Sequence, residues 1–229
     1  MKVYVFTDKN PILKNCFQQE NVSAVLEKVA ETTDTTDLAV AVYLLTNSSI
    51  WTGHLVTEWL GPEDFHHSGK RSWAFIRSFS TPEDLPARFK LIRLAFGLSR
   101  RYGKSTVLMY GWKLHFGHFA DNIGYLFAHE LHHFRRHHLG LHPGEGEQSA
   151  CRWALQRTKE AGFNVEAVRV HRRKRAKVQS NICILSSRKP KLLQRVKLAV
   201  AHLCPADLKE LERWVYQRRA TLEVKEQDK

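Results

Sequence analysis

The chain has 229 residues, 43% of them apolar and 26% charged, enough to bury a sizeable core and unlike disordered or collagen-like compositions. Its net charge of +13 favours an anionic partner, and most of the excess lies late, with 17 Lys and Arg against 7 Asp and Glu in residues 163–229. No run approaches the roughly 18 apolar residues of a membrane helix, the first apolar run (Val3 to Phe6) is too short for a signal peptide, and Cys16, Cys151, Cys183 and Cys204 form no CxxC pair, so a cytoplasmic protein without a disulfide framework or membrane partner is expected.

In chain order, Lys2 to Phe6 reads as a strand, Val22 to Val29 as a helix, and the continuous apolar run Leu38 to Leu45 as a buried strand. Trp51 to Leu60 and Trp73 to Phe79 carry the aromatic and β-branched residues of further strands on either side of a turn-rich stretch, Gly61 to Gly69. Thr81-Pro82-Glu83-Asp84 has the cap, early proline and acids of a helix start, which predicts a helix over Ala87 to Tyr102, stopped at Gly103. Ser105 to Tyr110 is a strand candidate. Asp121 then caps a helix ending near Gly140, and a second helix runs from Glu147 to Gly162. Val165 to Val170 and Asn181 to Leu185 read as strands, and Pro190 to Leu203 and Pro205 to Thr221 as helices.

The first of the paired helices carries His129-Glu130-Leu131-His132-His133. In HExxH the two histidines stand four residues apart, about 40° around the helix, so both imidazoles reach one metal ion while the glutamate points beside it at a bound water. Zinc lowers the pKa of such a water to about 7, and a carboxylate there can take its proton. On a helical wheel the apolar residues Ile123, Leu126, Phe127, Leu131 and Phe134 centre near roughly 140° from His129. Glu130 falls at about 100°, on the core side, where an ordinary amphipathic helix carries no carboxylate. The flank beside it is expected to open into a cleft. His132, His137 and His138 make the helix histidine-rich and read as a solvated face.

A third ligand is sought in the next helix. Glu147 heads a stripe continued by Ala150, Cys151, Ala154, Thr158 and Ala161, and a carboxylate on a buried face needs a partner, which a metal on the neighbouring helix would supply. Glu145, some 200° away, is less well aimed but stays open as the third ligand. His137 reads as solvated or as backing the ligands, and His142 as an alternative ligand.

HELHH followed by EQSA resembles the gluzincin metallopeptidases over Tyr125 to Gln156, and the layout is also similar to small intracellular ImmA/IrrE-type and SprT-like peptidases. The resemblance implies a zinc-dependent peptidase with His129, His133 and Glu147 as ligands and Glu130 as general base. It implies an edge strand that binds substrate backbone, for which Met109 to Phe116 is the candidate. It also implies a Tyr or His that steadies the oxyanion, among Tyr110, His115, His171 and Tyr216. Cys151 stands where that family continues with Asp, so the carboxylate that would orient a ligand histidine is replaced here.

The expected fold is α+β and zincin-like: a small mixed sheet with the HExxH helix in residues 1–162, and a basic, mainly helical region in 163–229. The run Arg172, Arg173, Lys174, Arg175 and Lys177 offers non-specific phosphate contacts to nucleic acid. The alternative is a nucleic-acid-binding or structural protein on a degenerate zincin scaffold. A zinc hydrolase acting on something other than peptides is a third reading.

Overall fold

A computed structural model describes residues 1–8, 18–46, 48, 50–68, 70–97 and 106–170. Strand β1 (Lys2–Thr7) runs parallel to β2 (Leu38–Leu45), and β2 parallel to β4 (Phe89–Gly97). Strand β3 (Trp51–Leu60) lies antiparallel to β4 at the sheet's outer edge, in the order β1-β2-β4-β3. Helix α1 (Gln19–Ala30) crosses from β1 towards β2. Parallel strands need covered faces, and β2 is accordingly buried along all but its last residue. One face, with Val40, Val42, Ile92 and Leu94, packs on α1 and on α2 (Phe119–His138). Tyr43, Leu91 and Ala95 on the other face lie under Phe65, Trp73 and Ile76.

Two expected elements are corrected. Within the segment read as a helix over Ala87 to Tyr102, Phe89–Gly97 is β4, between β2 and β3, with Phe89, Leu91, Ile92, Leu94 and Phe96 wholly buried, and residues 98–102 lie outside the described residues. A strand covered on both faces is apolar at nearly every position, and such a run also satisfies a helical period. Trp73 to Phe79, read as a strand, is a 3-10 helix over Arg71–Ser78. Its buried residues Trp73 and Ile76 are three apart, the repeat of a 3-10 turn.

A second sheet has the order β5-β6-β7, from β5 (Thr106–Met109), β6 (Trp112–Phe116) and β7 (Val165–Arg169), all antiparallel. Met109 to Phe116, the expected substrate strand, is the turn and return strand of this hairpin. Tyr110 and Gly111 have φ of 45° and 86°, the paired left-handed residues of a two-residue hairpin turn. Strand β6 lies between two others and has no free edge.

Helix α2 begins at Phe119, not at Asp121; the Asp121 carboxylate sits one turn in and accepts from the His118 N–H at 2.6 Å. Gly140, at φ 67°, follows its C-cap as expected. Helix α3 (Glu147–Glu160) then packs back along α2. The fold is therefore α+β with mixed sheets. Among the described residues no helix is long and apolar enough to cross a membrane. The basic run of residues 172–177, the strand expected at 181–185, both helices expected beyond 190, and Cys16, Cys183 and Cys204 lie outside the described residues.

Candidate metal centre

Helix α2 is buried along most of its length, and the HExxH residues sit in its densest part, with His129 1% and Glu130 7% exposed. Helix α3 enters beside it with small residues, Ala150, Cys151 and Ala154, all wholly buried, so the two backbones approach closely. That approach puts Glu147, in the first turn of α3, across from His129 and His133. Its own side chain is 46% exposed, so it heads the buried stripe from the mouth of the cleft.

The Glu147 Oε2 lies 3.1 Å from His129 Nε2 and 3.3 Å from His133 Nε2, and the two imidazole nitrogens are 3.3 Å apart. Bonds of about 2.0–2.1 Å in a tetrahedron give ligand-to-ligand edges of about 3.3 Å. The three atoms thus form one face of such a tetrahedron, and they can hold a metal ion. Burial, reinforced by His133, pushes His129 down to about 4 despite Glu147. Burial also lowers His133. It works to raise Glu147, but His133 and His129 together hold that carboxyl below its usual range. Neutral imidazoles and an anionic carboxylate are the forms that ligate a cation.

Of the two carboxylates expected to compete as third ligand, Glu147 is the one that joins the histidine cluster. Glu145 Oε2 is 2.7 Å from His132 Nε2, leaving Glu147 to the cluster. His132 is not part of a solvated face: it is 2% exposed and meets the Trp153 ring edge-on at 5.6 Å. This His132–Glu145 pair ties the loop before α3 to α2. His142 is 59% exposed and outside the cluster, while His137 lines the cleft without joining it. On the far side of His129, Nδ1 lies 3.7 Å from Cys151 Sγ, so a thiol stands where the resemblance implies a carboxylate.

Glu130 lines the same cleft as His129, His133 and Glu147 and reaches towards β3. Its Oε2 accepts the Leu55 N–H at 3.0 Å, and burial pushes its pKa up to about 8 against that bond's pull. The contact depends on Gly53, where a Cβ would lie 2.4 Å from Glu130 Oε1 and 2.5 Å from Cγ. Sequence reading did not single out Gly53; a lone glycine inside a strand is its only signal. Beside the ligands, the Tyr110 ring stacks on His129 with centroids 5.8 Å apart and planes 5° from parallel. Burial and the Glu147 carboxylate raise its hydroxyl to about 12. His115, a rival for that role, is instead 2.8 Å from the Thr106 hydroxyl, and His171 and Tyr216 lie outside the described residues.

A cleft of about 1280 Å³ runs over these groups, walled by the whole of β3 and by Leu108, Met109 and Tyr110. No family model, curated protein or solved structure matches the chain.

Proposed function

We propose that the protein is a zinc-dependent metallopeptidase of the gluzincin kind, with His129, His133 and Glu147 as ligands and Glu130 as general base. The observation that carries this is the tetrahedral face of donor atoms with a buried carboxylate one residue along the helix, opposite a strand that no other strand flanks on its outer side among the described residues. Two nitrogens and one carboxylate oxygen suit zinc, which when bound polarises a carbonyl and brings the pKa of its water to about 7.

Each protein group then has a task its surroundings fit. Burial makes the Glu130 carboxylate more basic than an exposed one, and in its ionised form it can take a proton from water and return it to the leaving amine. The Leu55 N–H fixes its aim. The Tyr110 hydroxyl keeps its proton at physiological pH and can donate it to the oxyanion. Tyr110 holds a left-handed conformation uncommon for a side-chain-bearing residue, a cost the site uses to bring the ring over His129. The outer edge of β3, flanked by no other strand among the described residues, takes the role first expected of Met109 to Phe116 and receives the substrate backbone by strand addition at the backbone groups that Glu130 and His138 leave open. We assign this work to residues 1–162 and to the cytoplasm, where scattered cysteines stay reduced.

The deciding experiment is hydrolysis of a quenched-fluorescence peptide library by the zinc-loaded protein. Glu130→Gln is expected to lower the rate about 10²- to 10⁴-fold with zinc content unchanged. Zinc-loaded protein that cleaves no peptide sinks the peptidase assignment. Tyr110→Phe is expected to lower kcat about 10²-fold with little change in KM, the pattern of a hydrogen bond made only in the transition state. Steady-state kinetics on the best library peptide would show it, and an effect confined to KM would remove Tyr110 from the chemistry.

A further inference from the structure

The cleft continues past the metal ligands and turns round the outer edge of β3 to the opposite face of the sheet, where His54, Lys70 and Arg93 line it. His54 and Arg93 are cross-strand partners, so their side chains stand together on that face, beside the 3-10 segment. Arg93 is 2% exposed. Its Nη2 donates to the carbonyl oxygens of Asp64, Phe65 and His67 at 3.2, 2.9 and 2.7 Å. Those bonds fasten the 64–67 segment but are to neutral acceptors. Among the described residues no carboxylate pairs with this guanidinium, and its Nε has no partner. The buried Nδ1 of His54 is also without one.

A buried cation hydrogen-bonded only to neutral carbonyls, with the nearby Asp64 carboxylate beyond ion-pair distance and one N–H idle, is a costly arrangement that a closer anion relieves. Lys70 stands exposed at the rim and makes no ion pair among the described residues. Its charge is felt on both sides of β3, by Glu130 and by His54. Burial first, then Lys70 and Arg93, push His54 down to about 4, so its imidazole is neutral and free to hydrogen-bond beside two fixed cations.

We propose that this basic recess is a specificity subsite for an acidic side chain of the peptide substrate; it rests on the metallopeptidase function proposed above. A strand added to the outer edge of β3 sends alternate side chains to opposite faces of the sheet. The substrate residue lateral to His54 lies about 4.5–5.5 Å from it, on the face of Lys70 and Arg93, while its two neighbours face Glu130. A glutamate or aspartate there reaches the Lys70 ammonium and brings the missing negative charge towards Arg93.

The test uses the full-length, zinc-loaded Glu130→Gln protein, which holds peptides without cutting them. Fluorescein-labelled peptides, otherwise uncharged and each with one glutamate or the isosteric glutamine at successive positions, are titrated by anisotropy. At one position glutamate should bind about tenfold tighter than glutamine, with the difference shrinking as salt rises. Lys70→Gln should abolish that difference, and Lys70→Glu should invert it towards a lysine-bearing peptide. Equal affinities at every position among peptides that bind overturn the subsite alone, whereas no peptide binding at all by the zinc-loaded protein overturns the peptidase reading and the subsite with it. Zinc content of the same sample, read by metal analysis, reports separately on the ligand set, so a failed subsite and a failed metal centre give different results.

Discussion

Glu147→Ala and His133→Ala are expected to purify without tightly held zinc, whereas Glu130→Gln retains one ion per chain. Each of the first two removes one vertex of the 3.1–3.3 Å triangle, and two donors hold zinc poorly in competition with buffer and chelator. Both side chains are partly exposed, at 46% and 13%, so their loss leaves no large core cavity. His129, at 1% exposed, is the less clean target because its truncation also empties space beneath Tyr110. Zinc at a thousandfold excess over its Kd stabilises the native state by about 4 kcal/mol. In a domain of this size that corresponds to roughly 10 °C in Tm. Chelator should therefore lower the Tm of the wild-type protein and of Glu130→Gln by about that much while leaving Glu147→Ala unmoved. Metal analysis and a thermal melt of the four proteins check this, and a Glu147→Ala variant that keeps its zinc would falsify the ligand assignment.

Gly53→Ala should disable Glu130, the proposed general base, without touching it in sequence. The new methyl would fall 2.4 Å from Glu130 Oε1, closer than any stable contact, and Glu130 cannot swing far because it is buried on α2. The carboxylate must therefore leave the Leu55 N–H and lose its aim. Peptide hydrolysis is expected to fall about 10²- to 10⁴-fold, to the level of Glu130→Gln, with zinc still bound. The double variant Gly53→Ala/Glu130→Gln should be no slower than either single one, since both act on one group. Multiplicative losses would mean that Gly53 serves the fold or the substrate strand instead.

Much of the scaffold was legible from residue pattern. Strands β1, β2 and β3 and both motif helices fall where apolar runs and helical period place them, the first motif helix starting two residues before its expected cap, because each is specified by local alternation or period. Strand β4 was not, since burial on both faces erases the alternation that separates strand from helix. The 3-10 segment was misread because Trp73, Phe75 and Ile76 are strand-favouring residues whose spacing suits a tighter turn. His132 was taken as solvated for want of any local sign that Trp153 and Glu145 would enclose it.

Residue order alone determined the reach of two histidines and a glutamate from one helix, since a four-residue spacing is nearly a full turn wherever that helix lies. It also determined that Glu147 heads the small-residue stripe of the next helix, for the same reason. Which atoms meet was left to the tertiary structure. The approach of α3 to α2 selects Glu147 over Glu145, the hairpin turn brings Tyr110 over His129, and the edge position of β3 supplies Gly53 and Leu55 to Glu130. These contacts join residues from 13 to 77 positions apart. Helical period and strand alternation act over a few residues, so only the packing of sheet against helices decides meetings at such separations.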